Sequence, residues 1–347
     1  MEKYRVGIVG ATGMVGQRFI SLLKDHPWFE VNCVAASARS AGKTYREAVG
    51  ERWAFAWEIP EKVAGMTVVD AADIDEVSKH VDFVFCAVDM KKDEIRALEE
   101  AYAKHEIPVV SNNSACRGIE DVPMVVPEIN ADHLAVIEAQ KKRLGTKSGF
   151  IAVKPNCSIQ SYVPALTPLL DFEPEKVSVC TYQAISGAGK TFKTWPEMVD
   201  NVIPYIGGED EKSENEPLKL WGHVEDGKIV NAALPVISAQ CLRVACSDGH
   251  MAAVSVSFKK KPTIEQIKER WANYETEAQR LELPSAPKPF LQYFEDPSRP
   301  QTRLDRDFQN GFGVSIGRLR EDKLFDYRFV CLSPVSYTHL RAHETPE

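Results

Sequence analysis

Residues 4–16 read Tyr-Arg-Val-Gly-Ile-Val-Gly-Ala-Thr-Gly-Met-Val-Gly, and how this stretch is read decides the fold of the first half of the chain. Val6 to Val9 is a short apolar strand. It runs directly into glycines at 10, 13 and 16, and residues 14–25 follow as a helix with Phe19, Leu22 and Leu23 on one face. A strand, a glycine turn and a helix in that order make a dinucleotide-binding loop. Glycine lets the backbone turn tightly and approach a pyrophosphate, which then sits on the helix N-terminus. The spacing is GxxGxxG rather than the strict GxGxxG, so the context carries the reading more than the pattern does. On this reading Gly10, Thr12, Gly13, Met14 and Val15 face the cofactor.

The next strand, Val31–Ala36, ends in Ser37-Ala38-Arg39-Ser40. An NAD site carries an acid there for the ribose 2′-OH. Hydroxyls and an arginine suit a 2′-phosphate instead. Ser37, Arg39 and Ser40 therefore point to NADP(H), with an ordinary polar loop as the plain alternative. Further on, the apolar run Phe83–Val88, a helix over 92–104 with Ile95, Leu98 and Tyr102 aligned, and Val109–Val110 continue the alternation. Strands alternating with helices argue for a parallel sheet covered on both faces. Residues 1–153 thus read as an α/β, Rossmann-type NADP-binding domain.

The pattern then changes. Val177–Gln183 and Met251–Lys260 look like longer strands. In the second, Val254, Val256 and Phe258 alternate with Ser255, Ser257 and Lys259, as in an antiparallel sheet with one buried face. Ile159–Leu170 reads as an amphipathic helix. Thr263–Leu281 reads as another, with Thr263 and Gln266 as a capping box. Val314, Ile316 and Phe325–Leu332 add strands. Residues 154–333 form an α+β domain with a mixed sheet. Two stretches read as solvated loops: the acidic run 207–216, and 284–300 with its five prolines.

The 347 residues carry 42 basic against 50 acidic side chains, a net charge of −8, which argues against a chain built to coat nucleic acid. No apolar run approaches the roughly 18 residues of a membrane span, and the N-terminus has no signal-peptide core. The eight cysteines form no CxxC and no zinc-like spacing with histidine, so no metal is expected and a reducing cytoplasm is. Ser186-Gly187-Ala188-Gly189-Lys190-Thr191 suggests a phosphate loop, but the turn glycine needed five positions before Gly189 is Ala184. A glycine turn beside a cofactor fits better.

Cys157, in Lys154-Pro155-Asn156-Cys157-Ser158, stands before the 159–170 helix, where the dipole favours a thiolate. That position raises it above the other seven cysteines. A thiolate nucleophile needs an acid–base partner. His26, His80, His105 and His133 fall in or beside surface helices. His250, after a glycine turn and before a strand, and His223 both stay open as that partner.

Six segments in order narrow the choice: GATGMVGQRF (10–19), SNNSACRGIEDVPMVVPEIN (111–130), KPNCS (154–158), YQAISGAGK (182–190), ENEPLKLWG (214–222) and CLRVACSDGH (241–250). Together they resemble the aspartate-semialdehyde dehydrogenases, in particular the archaeal and fungal-type branch, over residues 4–333. The resemblance implies Cys157 as nucleophile and His250 as acid–base group. It implies Asn156 at the acyl oxygen, Arg243 on the substrate carboxylate, Gln183 orienting the substrate, and Arg117 on the phosphate. Glu216 and Lys219 match an acid and a lysine three apart, for the α-ammonium and the phosphate. Ser186 and Gly187 match residues beside the nicotinamide. It also implies a homodimer or homotetramer built on the second domain's sheet. Malonyl-CoA reductase is the rival on the same scaffold, and Glu216 would discriminate, since malonyl-CoA has no ammonium. N-acetyl-glutamyl-phosphate reductase is a more distant relative. Residues 334–347 have no counterpart in the family, which continues there with a helix that packs on the cofactor domain. This tail is expected to be disordered, with His339 and His343 without function.

Overall fold

The computed structural model describes residues 2–55 and 57–334. The calls on the tail beyond Pro334 lie outside the described residues. By contacts the chain divides into two compact units. Of the described residues, one holds those up to Val125, Asp132–Lys154 and Val224–Ile229; the other holds Val126–Ala131, Pro155–His223 and 230–334. Segments 126–131 and 224–229 each belong to the opposite unit from their neighbours.

The first unit is built on six parallel strands: β1 (Tyr4–Val9), β2 (Phe29–Ala36), β3 (Val69–Asp70), β4 (Phe83–Cys86), β5 (Val109–Ser111) and β6 (Ile151–Val153). Their order is β3-β2-β1-β4-β5-β6. Strands such as Phe-Val-Phe-Cys and Ile-Ala-Val are apolar at every position because helices cover both faces. Helix Met14–Leu23 turns Phe19 onto Phe85, ring centroids 4.8 Å apart. The strand order reverses direction at β1 and β4, so the loop after β1 lies at the point where such sheets open a crevice for ligands.

The second unit holds a seven-stranded mixed sheet. Its members are β7 (Pro174–Gln183), β8 (Val202–Ile203), β11 (Val236–Val244), β12 (His250–Phe258), β13 (Leu291–Phe294), β14 (Val314–Glu321) and β15 (Tyr327–Ser333). The order is β13-β14-β15-β12-β7-β11-β8, with β7/β11 and β13/β14 parallel and the other pairs antiparallel. β9 (His223–Glu225) and β10 (Lys228–Val230) form a separate ribbon. Along β12 every second residue is buried, as its alternation predicts. Trp271 packs onto Tyr293 and Phe329 and donates from its indole to the Ala165 carbonyl, 2.7 Å away. Burial of such a ring contributes upward of about 2 kcal/mol, and the hydrogen bond keeps its N–H from being stranded.

Four elements differ from the sequence reading, one of them the 284–300 loop, within which strand β13 forms. The helix over 159–170 is broken into a 3-10 turn (Ile159–Ser161), one α-turn (Val163–Leu166) and a second 3-10 stretch (Thr167–Phe172). Pro164 and Pro168 remove the N–H groups a continuous helix would need, and Ile159, Tyr162, Val163, Ala165, Leu166 and Leu169 are all buried rather than striped. The 263–281 helix stops at Ala272, and a separately capped turn begins at Glu277. The acidic loop 207–216 is instead the start of helix Glu209–Leu220. Glu209, Asp210 and Glu211 fill its first turn, where the dipole favours acids. Pro217 lies inside that helix and cannot donate to Ser213, whose carbonyl instead accepts the buried Tyr162 hydroxyl at 2.7 Å. His26 and His133, read as surface residues, are buried. Among the described residues no helix is long and apolar enough to cross a membrane.

Candidate active site

β11 and β12 are consecutive in the chain, yet β7 lies between them. The connection 245–249 therefore passes over the end of β7. Gln183, the last residue of β7, opposes Arg243 on one side, and Met251 opposes Tyr182 on the other, which brings His250 alongside Gln183. All three are inward-facing positions that periodicity reserves for apolar side chains, and all three are buried: Gln183 at 1%, Arg243 at 5% and His250 at 0% exposure. Polar groups buried this way need partners. Arg243 Nη1 donates to the Ala184 carbonyl at 2.7 Å, the Ala184 N–H donates to His250 Nδ1 at 3.0 Å, and Gln183 Nε2 donates to Glu209 Oε2 at 3.2 Å.

Cys157 Sγ lies 3.4 Å from His250 Nε2. Of the two histidines left open, His250 is the one beside the thiol, while His223 is exposed on β9. The surroundings of Cys157 differ from those inferred from sequence. Cys157 precedes a 3-10 turn of three residues, too short for a helix dipole. The nearby positive charge is the guanidinium of Arg243. Burial pulls its pKa down, while Cys157 and Glu209 push it back up. Burial pushes the thiols of Cys33 and Cys241 up to about 11, and those of Cys86, Cys116, Cys180 and Cys331 also rise, all chiefly through burial.

Asn156 is fully engaged. Its Nδ2 donates to both oxygens of Glu209 at 2.9 and 3.0 Å, and its Oδ1 accepts from the Ser158 N–H and hydroxyl at 2.8 and 2.7 Å. Its backbone N–H donates to Glu216 Oε2 at 2.6 Å. Lys212 Nζ donates to Glu209 Oε1 at 2.8 Å. Burial pushes the Glu209 carboxyl up, but Lys212, Gln183 and Asn156 together outweigh it and hold the group below the usual range, so it is charged. The helix thus carries two acid–lysine pairs three apart, Glu209/Lys212 and Glu216/Lys219. The first acid meets the Gln183 and Asn156 side chains, whereas Glu216 ties down the backbone at Asn156, and Lys219 is buried. Sequence reasoning missed Glu209 and Lys212 because the segment read as a loop. The helical spacing of the acids was the available signal.

Ser186 and Gly187 lie in the turn after β7. Ser186 Oγ donates to Asp248 Oδ1 at 3.0 Å. A Cβ on Gly187 would stand 2.8 Å from His250 Nε2 and 2.9 Å from Arg243 Nη1, so only glycine fits against the pair.

The glycine loop belongs to the first unit. Gly10 has φ +91°, and a Cβ there would stand 2.3 Å from the Ala87 carbonyl oxygen. The loop carbonyls are tied back: Ala11 O accepts the Tyr45 hydroxyl at 2.8 Å and Thr12 O accepts Gln17 Nε2 at 3.0 Å. Helix Met14–Leu23, preceded by Gly13, has no side-chain cap, so no capping side chain occupies the amides of its first turn. Ser37 and Arg39 are exposed at the end of β2 with Ser40 half-buried beside them, and Arg39 forms no ion pair among the described residues. A tight cradle, uncapped amides and an unpaired arginine form a donor set that fits a phosphorylated dinucleotide. Arg117, also in the first unit, is half-buried and donates from Nη2 to the Asn112 carbonyl at 3.2 Å. Among the described residues no group of three or more His, Cys, Asp or Glu could hold a metal ion.

Comparison with known proteins agrees with this chemistry. Residues 5–137 match the family described as semialdehyde dehydrogenase, NAD binding domain, and residues 166–333 match semialdehyde dehydrogenase, dimerisation domain. The chain is thus a member of the semialdehyde dehydrogenase class. It is 44% identical over 335 residues to an aspartate-semialdehyde dehydrogenase of Schizosaccharomyces pombe, covering 94% of this chain and 92% of that one. It is 42% identical over 332 residues to the Archaeoglobus fulgidus enzyme of that name, covering 95% and 92%. The crystal structure of the Candida albicans enzyme with NADP superposes with a TM-score of 0.86 at 36% identity, over 98% of this chain and 99% of that one. Within the class, this chain belongs to the aspartate-semialdehyde dehydrogenase family.

Proposed function

We propose that the chain catalyses the NADPH-dependent reductive dephosphorylation of L-4-aspartyl phosphate to L-aspartate 4-semialdehyde, through a thioester on Cys157. In the cell this would feed lysine or diaminopimelate, threonine, methionine and isoleucine synthesis. The observation that carries the reading is the Cys157–His250 contact at 3.4 Å beside buried Arg243. The Cys157 thiolate attacks the acyl carbon. A C–S bond forms, the C–O bond to phosphate breaks, and phosphate leaves with the electron pair. Bound NADPH supplies a hydride to the thioester carbon. His250 Nε2–H donates a hydrogen bond to the acyl oxygen as hydride addition builds negative charge there, and the oxygen re-forms its double bond as the C–S bond breaks, releasing the semialdehyde and the Cys157 thiolate.

Arg243 has the planar fork that matches the substrate carboxylate. Charged Glu209 is the acid for the α-ammonium, with Gln183 orienting the same end. Lys212 and Arg117 serve the phosphate. These assignments replace the pair Glu216 and Lys219 with Glu209 and Lys212, because Glu216 already accepts the Asn156 N–H. The same hydrogen bond makes Asn156 a residue that shapes the acyl-oxygen site through its fixed backbone. Gly10, Thr12, Gly13, Met14, Val15, Ser37, Arg39 and Ser40 would hold NADP(H), with Ser186 and Gly187 near its nicotinamide. A buried acid beside Gln183 suits an amino acid and not malonyl-CoA, which has no ammonium.

We infer a homodimer, or a tetramer made of two, through the open face of the seven-stranded sheet, where Tyr182, Val202 and Val236 are exposed. A thiolate enzyme suits the reducing cytoplasm. The test is NADP⁺ reduction with aspartate semialdehyde. A signal that needs phosphate and prefers NADP⁺ to NAD⁺ supports the reading. A folded protein that gives none, but consumes NADPH with malonyl-CoA, overturns it.

A further inference from the structure

We propose that the backbone of Ala184 is a positioning device that fixes the tautomer of His250. Its N–H occupies Nδ1, so the neutral ring carries its proton on Nε2 and faces Cys157 as a donor, and Arg243 rather than an imidazolium is the cation that stabilises the thiolate. This deepens the proposed function and rests on the roles given there to Cys157 and His250.

The Ala184 amide can only donate, so the Nδ1 it meets at 3.0 Å must present a lone pair. The ring orientation is not arbitrary. Turned over, it would set carbon atoms against both the Ala184 N–H and the Cys157 sulfur, whereas as placed each nitrogen has a partner. A Cβ at Gly187 would stand 2.8 and 2.9 Å from Nε2 and Cε1, so a larger residue there would push the ring out of this position.

The same residue holds Arg243. The Ala184 carbonyl accepts Nη1 at 2.7 Å, and also the Gly187 N–H at 3.1 Å. The next residue anchors the turn, with the Ile185 N–H on the Cys246 carbonyl at 2.9 Å. One buried residue at the end of β7 therefore spaces the arginine of β11 and the histidine of β12, the two strands that flank it.

A second proton on His250 would set Nδ1–H against the Ala184 N–H, donor against donor, and strand both. Charged groups close to the pair include Arg243 from β11, on which Glu209 of the 209–220 helix also acts, with Lys212 paired to Glu209 in turn, and Asp248 two residues before His250 in the loop before β12. Asp248 already accepts from Ser186 and from its neighbour's N–H. Arg243 stays charged at every working pH, so it can hold the thiolate without a proton on Nδ1.

Two measurements test this. Nitrogen-15 spectra of histidine-labelled full-length protein, with His250 assigned by its loss in His250→Gln, are expected to show a lone-pair signal for Nδ1 and a protonated Nε2 at neutral pH. A proton on Nδ1 there overturns the proposal, and this readout needs neither turnover nor a second variant that folds. The rate at which iodoacetamide labels Cys157, followed by peptide mass against pH, is the second. Arg243→Gln is expected to lower labelling at neutral pH about tenfold, as one unit of thiol pKa would, and His250→Gln to lower it less. The reverse ranking overturns the proposal. A protein with this tautomer and no turnover of aspartate semialdehyde would sink the proposed function and leave the tautomer standing.

Discussion

In the glycine loop, the proposed cofactor residues lie within six consecutive positions, 10–15, and the backbone is the active material. At the end of the seven-stranded sheet, Cys157, Gln183, Glu209, Arg243 and His250 come from five segments, the first and last 93 residues apart, and the side chains are the active material. The loop depends on what is missing, since a Cβ at Gly10 has no room. The sheet end depends on exact partners for buried polar groups. The difference teaches where each site is vulnerable: the loop to added volume, the sheet end to lost hydrogen bonds.

Cys157→Ala breaks the comparison most sharply. Turnover should vanish while NADP affinity, read by fluorescence titration, stays near wild type; a sizeable residual rate would remove Cys157 as nucleophile. His250→Ala should lower kcat by about 10²–10⁴. In the loop, Gly10→Ala should destabilise by more than about 1 kcal/mol, lowering the melting temperature and weakening NADP binding. Unchanged values of both would mean that the loop yields more freely than its contacts suggest. Glu209→Gln should raise KM for aspartate semialdehyde about tenfold or more, the scale of one charged hydrogen bond, whereas Glu216→Gln should chiefly lower thermal stability. Equal effects on KM would restore Glu216 to the substrate.

The smallest effect lies far from both sites. Glu106 accepts the N–H groups of Lys147, Ser148 and Gly149, and these hold its carboxyl down at about 2, against 4.5 ordinarily. A depressed folded pKa contributes stability that is complete above pH 4.5 and fades as the pH falls toward 2. Glu106→Gln should therefore flatten the fall in melting temperature across that window, and a parallel fall would show that the carboxylate contributes nothing there.

The loop was legible because its chemistry is contiguous: strand, glycines and helix follow one another, and only glycine tolerates φ +91°. Position in the sequence already singled out Cys157, while residue-level reading left His250 and His223 open. Strand order is what places His250 beside the thiol, since β7 threads between two strands that adjoin in sequence. Periodicity could not report that buried Gln183, Arg243 and His250 face one another. Glu209 was hidden for a different reason: composition marked an acidic loop, and the helix forms because its first-turn acids meet the N-terminal dipole and its carbonyl at Ser213 finds Tyr162.

That threaded order also sets the timing of function during folding. β11 and β12 cannot bring Arg243 and His250 together as a hairpin, because the pairing each needs is with β7, more than fifty residues earlier in the chain. Distant pairings form late, after their loop-closure entropy has been met. A refolding chain should therefore recover helical signal and much of its buried surface before the first turnover. Activity then marks the arrival of β7 between β11 and β12.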